Sequence, residues 1–326
     1  MEYLRLGNSG MMVSRLALGC MSFGDRSWQP WVLNEEESQP VFRRAVELGI
    51  NFFDTADIYS YGVSEEITGR ALKCYANMDE IVLASKVFFP LRDAPNSGGL
   101  SKKNIIQSCE ASLRRLDVET IDLYQIHRYD VNTPIEETLE ALDMLIQQGK
   151  VRYIGASSMY AWQLARMLGA AELNGWTRFV SMQNHYNLLY REEEREMIPL
   201  CQEEGLAVLP WSPLARGLLA RAESLQDPLS TPRANSDVLM HERYTTPEDA
   251  DVISALRTLA EKRGDPPAEI AMAWLLSKPG VTAPIIGVSK LPHLESTVRS
   301  LSLELSAEEI ATLEAPYVPH RILGHE

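Results

Sequence analysis

The chain has 326 residues, 45% of them apolar, with 31 basic against 45 acidic side chains and a formal net charge of −14. That balance argues against a general nucleic-acid-binding surface and favours a soluble globular protein. Cys20, Cys74, Cys109 and Cys201 form no C-x-x-C pair, no apolar run approaches the ~20 residues that cross a bilayer, and the start lacks a secretory pattern, so the expected setting is cytoplasmic with reduced thiols and no metal site.

Strand-like and helix-like segments alternate along the chain. After a short N-terminal extension, residues 16–18 read as a strand. Residues 35–48 have helical spacing, with Val41, Ala45 and Leu48 on one face, Asn34 as N-cap and Glu37 completing a capping box. A strand over 51–54 follows, then a helix capped by Ser64 and running through Ala71 and Leu72. A strand over 81–86 precedes a helix over 102–116, with Ile105, Cys109, Ser112 and Leu116 along one side. After a strand over 121–127, Thr133-Pro134-Ile135-Glu136 reads as an N-cap, a first-turn proline and a box glutamate. That helix runs to about 148, where Gly149 stops it. Strand 151–157, helix 161–171, strand 179–184, helix 192–204, strand 207–211, helices 250–263 and 267–276, and strand 283–286 complete the pattern. Residues 216–246, rich in Pro, Ser, Arg and Asp, are a long loop after the seventh strand, and loops of that length in compact domains are usually functional lids or disordered. Ser306 and Glu309 box a short terminal helix, and 316–326 read as an irregular tail. Eight strands, each followed by helical sequence, predict parallel pairing with right-handed crossovers and closure into one α/β (β/α)8 TIM barrel over residues 1–326.

In such a barrel the carboxyl ends of the strands share one face, where active sites sit. Asp54, Lys86 and His127 each close a strand, and Tyr59 lies on the loop after Asp54. A single Asp or Lys at a strand end is more often a surface charge and a single His a structural residue, but four such groups at three consecutive strand ends form a proton-donating set. A phenol, with a pKa of about 10, is useful as an acid near neutrality only if its phenolate is stabilised, and an adjacent ammonium does that. Lys86 is the candidate ammonium. Asp54 would hold it charged and in place, and His127 would donate to, or relay protons with, the oxygen that Tyr59 serves.

Asn51-Phe52-Phe53-Asp54-Thr55-Ala56-Asp57-Ile58-Tyr59 with Gly62-Val63-Ser64-Glu65-Glu66 resembles the aldo-keto reductase superfamily. So do Asp122-Leu123-Tyr124-Gln125-Ile126-His127, Gly149-Lys150-Val151-Arg152-Tyr153-Ile154-Gly155-Ala156-Ser157 and Trp211-Ser212-Pro213-Leu214-Ala215-Arg216-Gly217. The run from Tyr186 to Glu196 resembles most the bacterial YajO-type reductases. The resemblance implies an NADPH-dependent carbonyl reductase without a Rossmann domain, and no G-x-G-x-x-G run opens a helix here. It implies that Asp54, Tyr59, Lys86 and His127 are the catalytic tetrad, with Tyr59 the general acid. It places Ser157, Ser158 and Gln183 on the nicotinamide carboxamide and Trp211 against the nicotinamide ring, with Met21 and Asp54 also near the cofactor. Many members have Asn where this chain has Ser158. The pyrophosphate and adenosine end falls on Ser212, Pro213, Leu214, Ala215 and Gly217 and on Gly287, Ser289, Lys290, His293 and Thr297. Lys290 with Ser289 would take a 2′-phosphate, which favours NADP; His293 stands where many members have Arg or Gln.

Phe23, Trp28 and Trp31, Phe88 and Phe89, and Tyr129 lie on loops expected above the nicotinamide and suit aryl or apolar carbonyl substrates, while Arg92 and Arg128 on the same loops leave an acidic carbonyl compound open. Within the same resemblance, a cofactor-holding regulatory protein with little turnover, as the potassium-channel β-subunits illustrate, is the competing expectation. An isomerase using Lys86 or a metal-dependent hydrolase is a third, and no clustered ligands support the metal.

Overall fold

The structure, a computed structural model, describes residues 1–221, 244 and 247–325. Most of the 216–246 segment therefore lies outside the described residues. Strands β1 (Tyr3–Arg5) and β2 (Met12–Ser14) pair antiparallel as a hairpin. Strands β3 (Ala17–Gly19), β4 (Phe52–Asp54), β5 (Val82–Val87), β6 (Ile121–Ile126), β7 (Val151–Ser157), β8 (Ser181–Gln183), β9 (Ala207–Val208) and β10 (Ile285–Gly287) form one parallel eight-stranded sheet in the order β10-β3-β4-β5-β6-β7-β8-β9. Parallel bridges Val208–Val281 and Trp211–Ile285 join its two ends, so the sheet closes as the alternation predicts.

The inner layer is a small apolar cluster containing Ala17, Phe52, Val82, Ala84, Leu123, Ala207, Leu209, Ala283 and Ile285. Leu6 and Val13 of the N-terminal hairpin join it, so the hairpin plugs the end of the barrel where the strands begin. The sequence reading gave this segment only as an extension. The outer layer packs helix stripes against the other strand face, including Val41, Phe42 and Ala45 of α1 (Glu35–Glu47) and Ile105, Cys109 and Leu116 of α3 (Lys102–Leu116). Among the described residues no helix is long and apolar enough to cross a membrane.

Asn34 and Glu37 form their capping box on α1, and Ser306 and Glu309 form theirs on the terminal helix Ala307–Glu314. Three of the differences from expectation have a local cause in side-chain bonding or backbone conformation. Helix α2 (Val63–Tyr75) starts after Gly62, whose φ is 97°, and Ser64 is not its cap: the Ser64 hydroxyl donates to the Cys20 carbonyl at 2.7 Å. Helix α4 (Ile135–Gln147) takes Pro134 as N-cap, because the Thr133 hydroxyl donates instead to Asp130. The segment 192–204 is a 3-10 turn (Glu192–Glu194) and a shorter helix (Met197–Glu203), separated at Glu196, whose φ of −140° leaves the helical region.

Candidate active site

Asp54 ends β4, Lys86 lies one residue before the end of β5, and His127 directly follows β6. Parallel closure brings these strand ends together. The Lys86 ammonium, wholly buried, donates to Asp54 Oδ2 at 2.5 Å, to the Thr55 carbonyl at 2.9 Å and to the Tyr59 hydroxyl at 3.2 Å. Its Nζ also lies 4.8 Å from the centre of the Tyr59 ring. The His127 ring meets the Tyr59 ring edge-on with centroids 5.8 Å apart. The four predicted residues thus form one group.

Their electrostatics refine the sequence argument. Burial works to lower the Lys86 pKa, but Asp54 and Tyr59 outweigh it, and the net shift is upward, so the ammonium stays charged. Tyr59 is pushed above its usual value by burial, and Lys86 offsets that only in part. Lys86 thus acts on the phenol in the direction expected of it, and Tyr59 keeps its proton at neutral pH. Burial, and then the charges of Lys86 and Arg128, hold His127 well below the usual histidine range. His127 is therefore a neutral imidazole with a single N–H, and its Nδ1 has no partner among the described residues.

A second layer holds Asp54. Its Oδ1 accepts from Gln125 Nε2 at 2.8 Å and from Gln183 Nε2 at 3.0 Å. Sequence reasoning missed Gln125. The signal was available: Leu123 faces the barrel interior, and Gln125, two residues on, must share that face, a polar side chain in an otherwise apolar lining.

The model of the aldo/keto reductase family matches residues 15–317. The chain belongs to the aldo/keto reductase family. It is 44% identical to versiconal hemiacetal acetate reductase of Aspergillus parasiticus, over 99% of this chain and 98% of that protein. It is 43% identical to a Schizosaccharomyces pombe protein carrying an aryl-alcohol dehydrogenase name, over 98% of this chain and 96% of the other. An aldo-keto reductase of Metarhizium robertsii is 42% identical over 99% of this chain and 93% of its own length.

Aldo/keto reductases use nicotinamide cofactors, and the residues present fit one. The Trp211 and His185 rings stack with centroids 4.3 Å apart and planes 7° apart, and His185 stacks in turn on Tyr190 at 4.1 Å. His185 and Tyr190 were not anticipated as the backing of Trp211. The Trp211 indole N–H donates to the Ser158 hydroxyl at 3.0 Å, so part of that hydroxyl's capacity is already used. Ser158 sits at φ 46° and Ser212 at φ 52°, the left-handed region where Asn and Gly are the easier occupants. Ser157 and Gln183 end β7 and β8 in register with each other. Met21 lies half-buried in the turn after β3. After β9, Pro213 and Ala215 are buried and Leu214 partly so, while Gly217 has φ 101°. Gly287 at the end of β10, and Ser289, Lys290 and His293 beyond it, are exposed, whereas Thr297 is buried and donates to the His293 carbonyl at 2.9 Å.

The candidate substrate residues separate. Trp28 stands 6.4 Å from the Tyr59 ring, and Trp31 packs on Trp28 at 6.2 Å. Phe89 lies edge-on to His127 at 5.0 Å, with the Arg128 guanidinium 5.4 Å from its ring. Phe88 leans on the outer core and on Phe89, and Tyr129 packs beside Trp162. Phe23 is corrected to a core residue: it is 0% exposed and packs on Phe42 at 4.7 Å, leaving no surface for a ligand.

Proposed function

We propose that residues 1–326 act as one barrel unit in the cytoplasm that reduces aldehydes and ketones to alcohols with NADPH, Tyr59 serving as general acid. The observation that carries this reading is the Tyr59 hydroxyl 3.2 Å from the buried, charge-paired ammonium of Lys86. The bound dinucleotide would supply the hydride. Tyr59, protonated at neutral pH, holds the proton the carbonyl oxygen needs, and Lys86 stabilises the phenolate left behind. Asp54 keeps Lys86 charged and oriented. Neutral His127 offers its N–H to the same oxygen. Ser157, Ser158 and Gln183 would hold the carboxamide, Trp211 the ring, and the groups after β9 and β10 the phosphates and adenosine.

Lys290 beside Ser289 favours NADP over NAD, because an exposed ammonium suits a 2′-phosphate. The aromatic wall of Trp28, Trp31 and Phe89 supports aryl and apolar carbonyl substrates, in keeping with the aryl-alcohol name of one relative. The Tyr186–Glu196 run supports the likeness to YajO-type reductases. A panel of aromatic and aliphatic aldehydes and ketones, assayed with NADPH and with NADH, tests the reading. Turnover of aromatic aldehydes with NADPH is expected. NADPH binding without reduction of any carbonyl would replace it with a regulatory, cofactor-holding role.

A further inference from the structure

We propose that Gln125 is a positioning residue that ties the Asp54–Lys86–Tyr59 group to the cofactor carboxamide by fixing, together with Asp54, which atom of Gln183 faces the ligand. The inference rests on the function proposed above and adds a residue to it. Gln125 is in register with Lys86 on one side and with Gly155 on the other. It is 0% exposed. A Cβ on Gly155 would come within 3.0 Å of Gln125 Cγ and 2.6 Å of Ser181 Oγ, so the glycine leaves the space that the glutamine fills.

The hydrogen bonds determine the amide orientations. An ionised carboxylate only accepts, so both amide groups must turn their nitrogens toward Asp54. Gln125 Nε2 does so at 2.8 Å, and its Oε1 then accepts from Gln183 Nε2 at 3.2 Å. Gln183 Nε2 also donates to Asp54 at 3.0 Å, which uses both of its hydrogens inside the protein. What Gln183 retains is Oε1, an acceptor. It can serve the amide N–H of a nicotinamide carboxamide and has nothing to give the carbonyl. Gln125 occupies the second hydrogen of Gln183 and so holds that oxygen in place.

The test uses the full chain and two ligands, NADP⁺ and its 3-acetylpyridine analogue, in which a methyl replaces the carboxamide nitrogen. Affinities are measured by calorimetry for wild type, Gln125→Met and Gln125→Asn. Methionine keeps the volume and removes both polar atoms; asparagine keeps the amide and withdraws it by one methylene. Wild type should bind NADP⁺ about tenfold more tightly than the analogue, the worth of one buried hydrogen bond. In either variant NADP⁺ affinity should fall about tenfold while affinity for the analogue changes less than twofold. Equal losses for both ligands, or none for either, would overturn the role of Gln125 and leave the proposed function standing. Wild-type protein that binds neither dinucleotide would remove that function itself. The asparagine variant carries the test if the methionine variant does not fold.

Discussion

Replacing Lys86 by methionine is expected to strip Asp54 of its ammonium partner at hydrogen-bond distance. The Lys86 and Asp54 side chains are 0% and 2% exposed, so water cannot take over the ammonium's part. Three hydrogen bonds are lost together, to Asp54, Thr55 and Tyr59, and among the described residues Asp54 keeps its amide donors Gln125 and Gln183. Removing one partner of a buried ion pair costs about 3–5 kcal/mol, chiefly because the other charge is stranded. Asp54→Asn should cost a similar amount by stranding the ammonium. The double variant Asp54→Asn/Lys86→Met strands neither charge, so its loss should be smaller than that of either single variant, where additivity would give roughly 6–10 kcal/mol. Guanidinium unfolding followed by tryptophan fluorescence and circular dichroism measures all three. A double variant whose loss equals the sum of the singles would refute the view that the pair is held by mutual compensation.

Tyr59→Phe should reduce kcat by about 10²–10⁴ while cofactor affinity changes little, since only the transferable proton and one contact to Lys86 are removed; near-wild-type turnover would refute the acid role. Asp57 supplies a pH test. Burial, and then the nearby Glu65 charge, push its carboxyl up to about 8, and its Oδ1 has no partner among the described residues. Between the unfolded value of about 3.9 and that folded value, the native state keeps a proton the unfolded state has lost, so stability falls as pH rises, by up to about 1.4 kcal/mol per pH unit. Asp57→Asn removes that slope, and its stability advantage over wild type should widen from pH 5 to pH 8 in thermal melts; a constant gap would contradict the assignment.

That Asp54, Tyr59, Lys86 and His127 gather at neighbouring strand ends was legible without coordinates. Strand and helix periodicities, glycine stops and capping boxes are written within a few residues of one another, and they specify a parallel alternation whose active face is known in advance. What the chain could not announce is which side chains meet after closure. Gln125 and Asp54 are separated by 71 positions, and Gln183 and Asp54 by 129. Their contact depends on register and on a missing side chain at Gly155, which no local pattern encodes. Phe23 read as a ligand wall and became core because Phe42 of α1 turned out to lie beneath it. The Tyr59 proton depends on the balance between burial and the nearby charges of Lys86, Asp54 and Arg128, which meet only once the barrel has closed.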